Sequence, residues 1–229
     1  MRDLIDREWN AVLGLWIDAQ VNLGKVWRWG TFCDGNPLFR KQHTLEHTYS
    51  LLIVGMISII KLRDFVKLDE TLLLQAFAVH DWGEGELNRD VLFHLKSAKT
   101  DCEEYGAFVG AFDKISPDIV KGLKEPFLLQ FARENPACFP REARRIMTRL
   151  WKTKRNEVIV FEAIERFDYV LYALEHSKTG NGLLRQVLKK HAPKLDQCVE
   201  ELPAFGKVVW TPERRKVCET YLSDSRDFP

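Results

Sequence analysis

The chain has 229 residues, of which 45% are hydrophobic and 29% charged, a composition typical of a soluble globular protein with one or two domains. The formal net charge of +1 provides no overall field for binding nucleic acid or an anionic membrane. The longest apolar run, residues 51–60, is too short to span a bilayer. The N-terminal sequence MRDLIDREWN has charges where a signal peptide needs an apolar core, so we expect a cytoplasmic protein.

Five cysteines occur, at positions 33, 102, 138, 198 and 218. Their number is odd and no CxxC spacing is present. This pattern favours free thiols in a reducing compartment over a framework of disulfides.

Hydrophobic residues recur at helical spacing along most of the chain, which predicts an all-α fold. A first helix covers residues 3–26, and its Trp9 and Trp16 are expected to pack in the core. Residues 27–43 form a predicted loop whose aromatic and basic side chains either anchor it or contact a base and a phosphate. The helix capped by Thr44 is apolar nearly all round, as a central buried helix should be.

The next predicted helix begins after Asp69 and ends in the adjacent pair His80 and Asp81. Gly83 and Gly85 then break the helical pattern. Burying an imidazole and a carboxylate without partners would cost several kcal/mol. A metal ion, or a polar network of similar strength, would satisfy both groups.

The rest of the chain is predicted to be helical, with short helices at 116–140 because four prolines lie there. The other predicted helices cover residues 101–114, 141–152, 157–177, 183–191, 194–201 and 212–222. The basic stretch 141–155 is interpreted as a solvated face or a subunit contact, and His176 and His191 as surface or helix-end residues. No strand pattern or internal repeat is found, which favours a single domain.

Four residues on separate predicted elements have side chains that can bind a metal ion and are expected to be buried: His47, His80, Asp81 and Asp168. Asp168 falls within an apolar stripe, where a carboxylate needs a partner. Two imidazoles and two carboxylates suit a borderline or hard divalent ion such as Mn, Fe, Co, Ni or Zn.

The order His…His-Asp…Asp on a helical chain resembles the HD-domain superfamily of metal-dependent phosphohydrolases. Residues 44–50, TLEHTYS, resemble the xEHS segment of the bacterial 5′-deoxynucleotidase-like HD family. His80-Asp-Trp-Gly-Glu84 resembles its HDxxE motif, and residues 161–175 resemble its closing Asp helix. The resemblance implies a single HD-type helical bundle over residues 1–229.

The matched part is the core, about residues 25–178, and residues 180–229 form a helical C-terminal extension. Three roles stay open for this extension: covering the site, making a homodimer contact, or packing on the core.

The resemblance also implies a metal centre with one divalent ion, which could be Mn, Co, Fe, Ni, Mg or Zn. Glu84 would position or activate the attacking water. Asp90 would protonate the leaving group. It lies one residue further from the HD pair than in the family, so Glu86 is an alternative general acid. The ligands implied are His47, His80, Asp81 and Asp168.

Substrate binding is implied for four residues. Lys96 matches a family lysine near the phosphate. Arg28 and Trp29 resemble an Arg-Trp pair that meets phosphate and sugar or base. The loop from there to His47 is longer than in the family, which makes Arg40 a competing phosphate ligand.

These roles imply hydrolysis of a phosphomonoester, foremost a (deoxy)nucleoside 5′-monophosphate, by a metal-activated water. The expected partner is a small-molecule nucleotide, with no nucleic acid and no membrane. The alternatives are an HD hydrolase of a triphosphate or alarmone, and a non-catalytic nucleotide-binding HD module. Residues 43–47, HTLEH, also match the H-x-x-E-H motif of inverted zincins, which would indicate a zinc peptidase.

Overall fold

The structure, a computed structural model, describes residues 2–28, 42–89, 96–113, 117–176 and 182–223. Most of these residues lie in helices, which confirms the predicted all-α class. In chain order the helices are α1 (Arg2–Leu23), α2 (Thr44–Leu62), α3 (Glu70–Val79), α4 (Trp82–Leu87), α5 (Ala98–Asp113), α6 (Pro117–Leu128), α7 (Arg141–Thr153), α8 (Arg155–Glu175), α9 (Gly182–Glu201), α10 (Pro203–Val208) and α11 (Pro212–Ser223). A 3₁₀ turn, Leu129–Phe131, follows α6.

Two short strands lie at the ends of the predicted loop. Strand β1 (Trp27–Arg28) pairs antiparallel with β2 (Gln42–His43), with Trp27 opposite His43. No strand was predicted, because two residues are too few to show an alternating pattern. The pairing brings Arg28 beside the start of α2.

One hydrophobic cluster joins the described helices. It extends from Leu15 in α1 to Cys218 in α11 and includes fully buried Phe161 and Ile164 of α8. Helix α9 packs along α8 through buried residues that include Leu188 and Leu195. The C-terminal helices therefore pack on the same core as the rest of the chain.

Helix α1 does not bury its tryptophans. Trp9 is 60% and Trp16 51% exposed, whereas the face of Leu15, Ala19 and Leu23 is buried. The expected core packing of Trp9 and Trp16 is therefore wrong. Helical spacing shows that two residues share a face but does not show which face meets the core.

Helix α2 is only half buried, in contrast to the central buried helix that was predicted. Leu51 and Ile59 are buried, but Met56, Ile57 and Ile60 are exposed on another face. By length and composition α2 could cross a membrane, and 39% of its most apolar window is buried. Its contacts with α3 and α8 place it at the edge of the core.

Gly83 and Gly85 lie inside α4, so the prediction that they break the helical pattern is wrong. A Cβ atom at Gly83 would overlap the backbone carbonyl of Glu104 in α5. A Cβ atom at Gly85 would lie 2.9 Å from the Leu23 side chain of α1. Both glycines therefore allow close packing of neighbouring segments on α4.

Residues 182–201 form one continuous helix, although a break near residue 192 was predicted. Pro193 lies inside α9 and removes one backbone hydrogen bond. The buried contacts of α9 with α8 continue on both sides of this proline, through Val187 and Leu195, and stabilise the uninterrupted helix.

Cys102 and Cys138 form a disulfide between α5 and the segment that precedes α7. The expectation of free thiols is wrong for this pair, because a separation of 36 residues in sequence gives no sign of their proximity. Cys198 and Cys218 are free and buried, as expected. Cys33 lies outside the described residues.

The disulfide is expected to stabilise the fold. Replacing Cys138 by serine should lower the free energy of unfolding by about 2–4 kcal/mol, because the unfolded chain regains the freedom of a long loop. Urea denaturation without reductant measures this loss. With excess reductant the variant and the wild type should have equal stability, and an equal loss under both conditions would contradict the assignment.

Candidate metal centre

His80 lies at the C-terminal end of α3 and is buried. Its Nδ1 is 3.0 Å from the carbonyl oxygen of Phe77, which can only accept, so Nδ1 carries the proton and donates. Gln130 donates to the backbone carbonyl of His80 at 2.9 Å. These bonds fix the ring and leave Nε2 as the atom that faces the site.

His47 lies in the first turn of α2 and is oriented in the same way. Its Nδ1 lies 2.7 Å from Oδ2 of Asp168, and Ser50 donates to the other oxygen of Asp168 at 2.6 Å. The Tyr169 ring stacks against the imidazole, with centroids 5.6 Å apart. Nε2 of His47 is thereby directed to within 3.4 Å of Nε2 of His80.

Asp81 completes a group of three buried donors. Its Oδ2 lies 3.1 Å from Nε2 of His80 and 3.8 Å from Nε2 of His47. One ligand atom from each of these residues lies within 4.8 Å of the others. Two imidazole nitrogens and one carboxylate oxygen that converge in this way suit a divalent transition metal.

Asp168, the fourth predicted ligand, is not in that group of three. Its oxygens are engaged by His47 and Ser50, on the far side of the imidazole from Nε2. A carboxylate that accepts from the second nitrogen of a histidine is a common means of orienting a metal-binding imidazole. Direct ligation by Asp168 stays a prediction.

Burial and the neighbouring charges shift the pKa of each residue in the group. Burial alone would raise the pKa of Asp81, but the positive charges of His80 and Arg28 lower it below its usual range. Burial, assisted by Arg28, lowers the pKa of His47 and favours its neutral form. Burial opposes protonation of His80, yet Asp81 outweighs it and raises the pKa of that imidazole.

Arg28 is buried within the site. Nη1 lies 3.0 Å from Oδ2 of Asp81, and Nη2 donates to the Tyr169 hydroxyl at 2.6 Å. The structure thus brings this predicted phosphate ligand to the metal group, where it contacts Asp81. Tyr169, which contacts both Arg28 and His47, was not predicted, since one tyrosine in a helix carries no distinctive sequence signal.

Glu84 and Lys96 form an ion pair beside the group. Nζ of Lys96 lies 2.6 Å from Oε1 of the buried Glu84 and 3.8 Å from Oε2 of the buried Glu104. Burial raises the pKa of Glu84 to about 8, although Lys96 opposes this. Burial disfavours the charged form of Lys96, but Glu84 and Glu104 raise its pKa well above the ordinary value.

Glu104 was not predicted as a site residue, and its burial should make stability depend on pH. Burial raises its pKa from 4.5 to about 6. As pH rises from 4.5 to 6 the unfolded chain loses this proton first, so stability falls over that range. The stability lost is about 2 kcal/mol.

Replacing Glu104 by glutamine should remove this loss. The measurement is urea denaturation with EDTA. Between pH 4 and pH 8 the free energy of unfolding of the variant, relative to that of the wild type, should rise by about 2 kcal/mol. Glu103→Gln, at a half-exposed position of the same helix where the carboxylate pairs with Arg89, is the control and should show no such gain. A pH-independent difference between Glu104→Gln and the wild type would refute the role of burial.

The other predicted catalytic and substrate residues lie apart from the site or outside the described residues. Glu86 accepts from the Trp82 indole at 3.2 Å and is thereby directed along its own helix. Asp90, Trp29 and Arg40 lie outside the described residues.

In the part of the chain that the structure describes, three further histidines lie outside the group of three. His43 precedes α2, and its ring lies 3.5 Å from that of Trp27, so residues 43–47 do not place two histidines on one helical face. His176 and His191 are buried, at the C-terminal end of α8 and inside α9. Their expected surface position is therefore wrong, although His176 does lie at a helix end.

The arrangement can hold a divalent cation next to a buried carboxylate and two cations, which is a set suited to phosphoryl chemistry. Comparisons with protein-family models, curated proteins and solved structures gave no match. The chemistry of this centre is therefore inferred from its own side chains.

Proposed function

We propose that this chain is an HD-type metal-dependent phosphohydrolase that cleaves the phosphomonoester of a (deoxy)nucleoside 5′-monophosphate. The observation that carries the proposal is the convergence of His47, His80 and Asp81 beside the buried Glu84, which pairs with Lys96. Structural metal sites in proteins are usually closed by four ligands. A centre with three converging side chains leaves room for water and a substrate oxygen.

A divalent ion bound there would lower the pKa of water and offset charge on the phosphoryl oxygens. Glu84 would orient the attacking water and, in its ionised form, accept its proton; the pKa of about 8 means that this form predominates only above that pH. Arg28 and Lys96 would exchange their carboxylate partners for phosphoryl oxygens and stabilise the transition state.

The ion proposed is one of Mn, Co, Fe, Ni, Mg or Zn, and two nitrogen donors favour a transition metal over Mg. The proposed location is the cytoplasm, where nucleotide substrates are abundant. Thiols are kept reduced there, so the bond between Cys102 and Cys138 would form only on oxidation.

A phosphate-release screen tests the proposal. Nucleoside mono-, di- and triphosphates are assayed with each candidate metal, with His80→Ala as the matched inactive control. We expect release from 5′-monophosphates to be faster with a transition metal than with Mg, and absent from the control. Faster cleavage of triphosphates would favour the alternative, an HD hydrolase of triphosphates. No phosphate release from any nucleotide would favour a non-catalytic nucleotide-binding module.

A further inference from the structure

An open surface pocket of about 370 Å³, lined mostly by exposed side chains, lies between α7 and the segment before it, far in sequence from the metal group. Three arginines line it and no carboxylate does, and none of the three has an ion-pair partner in the described part of the chain. On the same helix Arg149 pairs with Glu125 at 2.6 Å. The lining residues are Asn135, Arg141, Arg144, Arg145 and Thr148.

The positions of these arginines are unfavourable for the protein alone. Arg141 precedes Arg144 and Arg145 by three and four residues, so their like charges are neighbours on the helix surface and repel each other. All three lie near the N-terminal end of α7, where the helix dipole also disfavours cations. The acid in that first turn, Glu142, pairs with Lys124.

The opposite wall of the pocket is held in place. Asn135 has a left-handed backbone, with φ of 43°, and its side chain donates to the Thr148 hydroxyl at 2.8 Å. Thr148 in turn donates to the carbonyl of Arg144 at 2.8 Å. These bonds hold Asn135 against α7 beside the arginines.

We propose that this arginine pocket binds the phosphate group of a small molecule. A phosphate dianion would offset the like charges and the helix dipole together. Guanidinium groups also match its oxygens in geometry and donate to them in pairs. A compact anion fits better than a nucleic acid, because the basic face beyond the pocket is partly neutralised by the pair of Arg149 and Glu125.

The experiment is isothermal titration of the full chain with inorganic phosphate, at constant ionic strength and with EDTA. The test variant is Arg144→Gln with Arg145→Gln. The matched control is Arg149→Gln with Lys152→Gln, which removes the same charge from the same helix outside the pocket. His80→Ala separates this pocket from the metal centre.

We expect one phosphate per chain in the wild type, the control and His80→Ala. The test variant should bind at least about tenfold more weakly, the effect of losing charge-assisted hydrogen bonds. Without phosphate, its melting temperature should equal or exceed that of the wild type, because the repulsion is gone.

Three results would overturn the proposal. The first is no phosphate binding by the wild type. The second is equal weakening in the test variant and the control, which would show an effect of net charge alone. The third is binding of single-stranded DNA without any response to phosphate, which would make the basic face a nucleic-acid surface.

Discussion

Replacing His80 by alanine is expected to abolish metal binding and phosphate release together. His80 supplies one of three converging donors, and its ring is fixed by Phe77 and its backbone by Gln130. A metal ion contributes several kcal/mol to the stabilisation of a phosphoryl transition state. The kcat/KM for a nucleoside monophosphate should therefore fall by at least about a thousandfold.

Metal analysis and steady-state kinetics on the same preparation measure both losses. His43→Ala is the matched control and should keep metal and activity, because His43 lies against Trp27 outside the group of three. Activity in a metal-free His80→Ala protein would contradict the mechanism. Loss of metal in His43→Ala would favour the zinc peptidase motif of residues 43–47 instead.

Asp168→Ala measures a different contribution in the same assays. If its carboxylate acts by orienting His47, metal affinity should fall by about 10–100-fold without being abolished. A loss as complete as that of His80→Ala would instead identify Asp168 as a direct ligand.

Replacing Gly83 by alanine is expected to be the most destabilising single-methyl change near the centre. The added Cβ would overlap the backbone carbonyl of Glu104, and backbone cannot rotate away as a flexible side chain can. Overpacking of this kind costs about 3 kcal/mol. Relief of the overlap would move α5, together with Lys96 just before it, away from Glu84 in α4.

Urea denaturation of Gly83→Ala measures the effect. Gly106→Ala is the control on the other side of α5, where nothing lies within 4 Å of an added Cβ. That variant should be neutral or gain up to about 1 kcal/mol from helix propensity. Equal stability of the two variants would refute the close approach of α5 to α4.

The sequence was informative where a residue's chemistry conflicts with its surroundings. His47, His80 and Asp81 stood out because apolar helices would bury them, and the structure brings all three together. The all-α class was predictable for a related reason, since helical spacing of apolar residues is visible without knowing which elements touch.

What the sequence could not show depends on contacts between distant segments. A glycine at position 83 is compatible both with the end of a helix and with close packing of a neighbouring backbone. Only the position of Glu104 in the folded chain distinguishes these two roles. The disulfide of Cys102 and the pairing of Asp168 with His47 likewise join segments far apart in the chain. Exposure of Trp9 and Trp16 depends on which face of α1 meets the core.

The central claim is that His47, His80 and Asp81 hold a divalent ion, and anomalous diffraction from crystals grown with Mn or Co tests it most directly. An ion held by these residues should give one anomalous peak per chain, about 2.0–2.2 Å from Nε2 of both histidines and from the Asp81 carboxylate. No peak at these atoms under saturating metal, or a peak between His43 and His47, would contradict it.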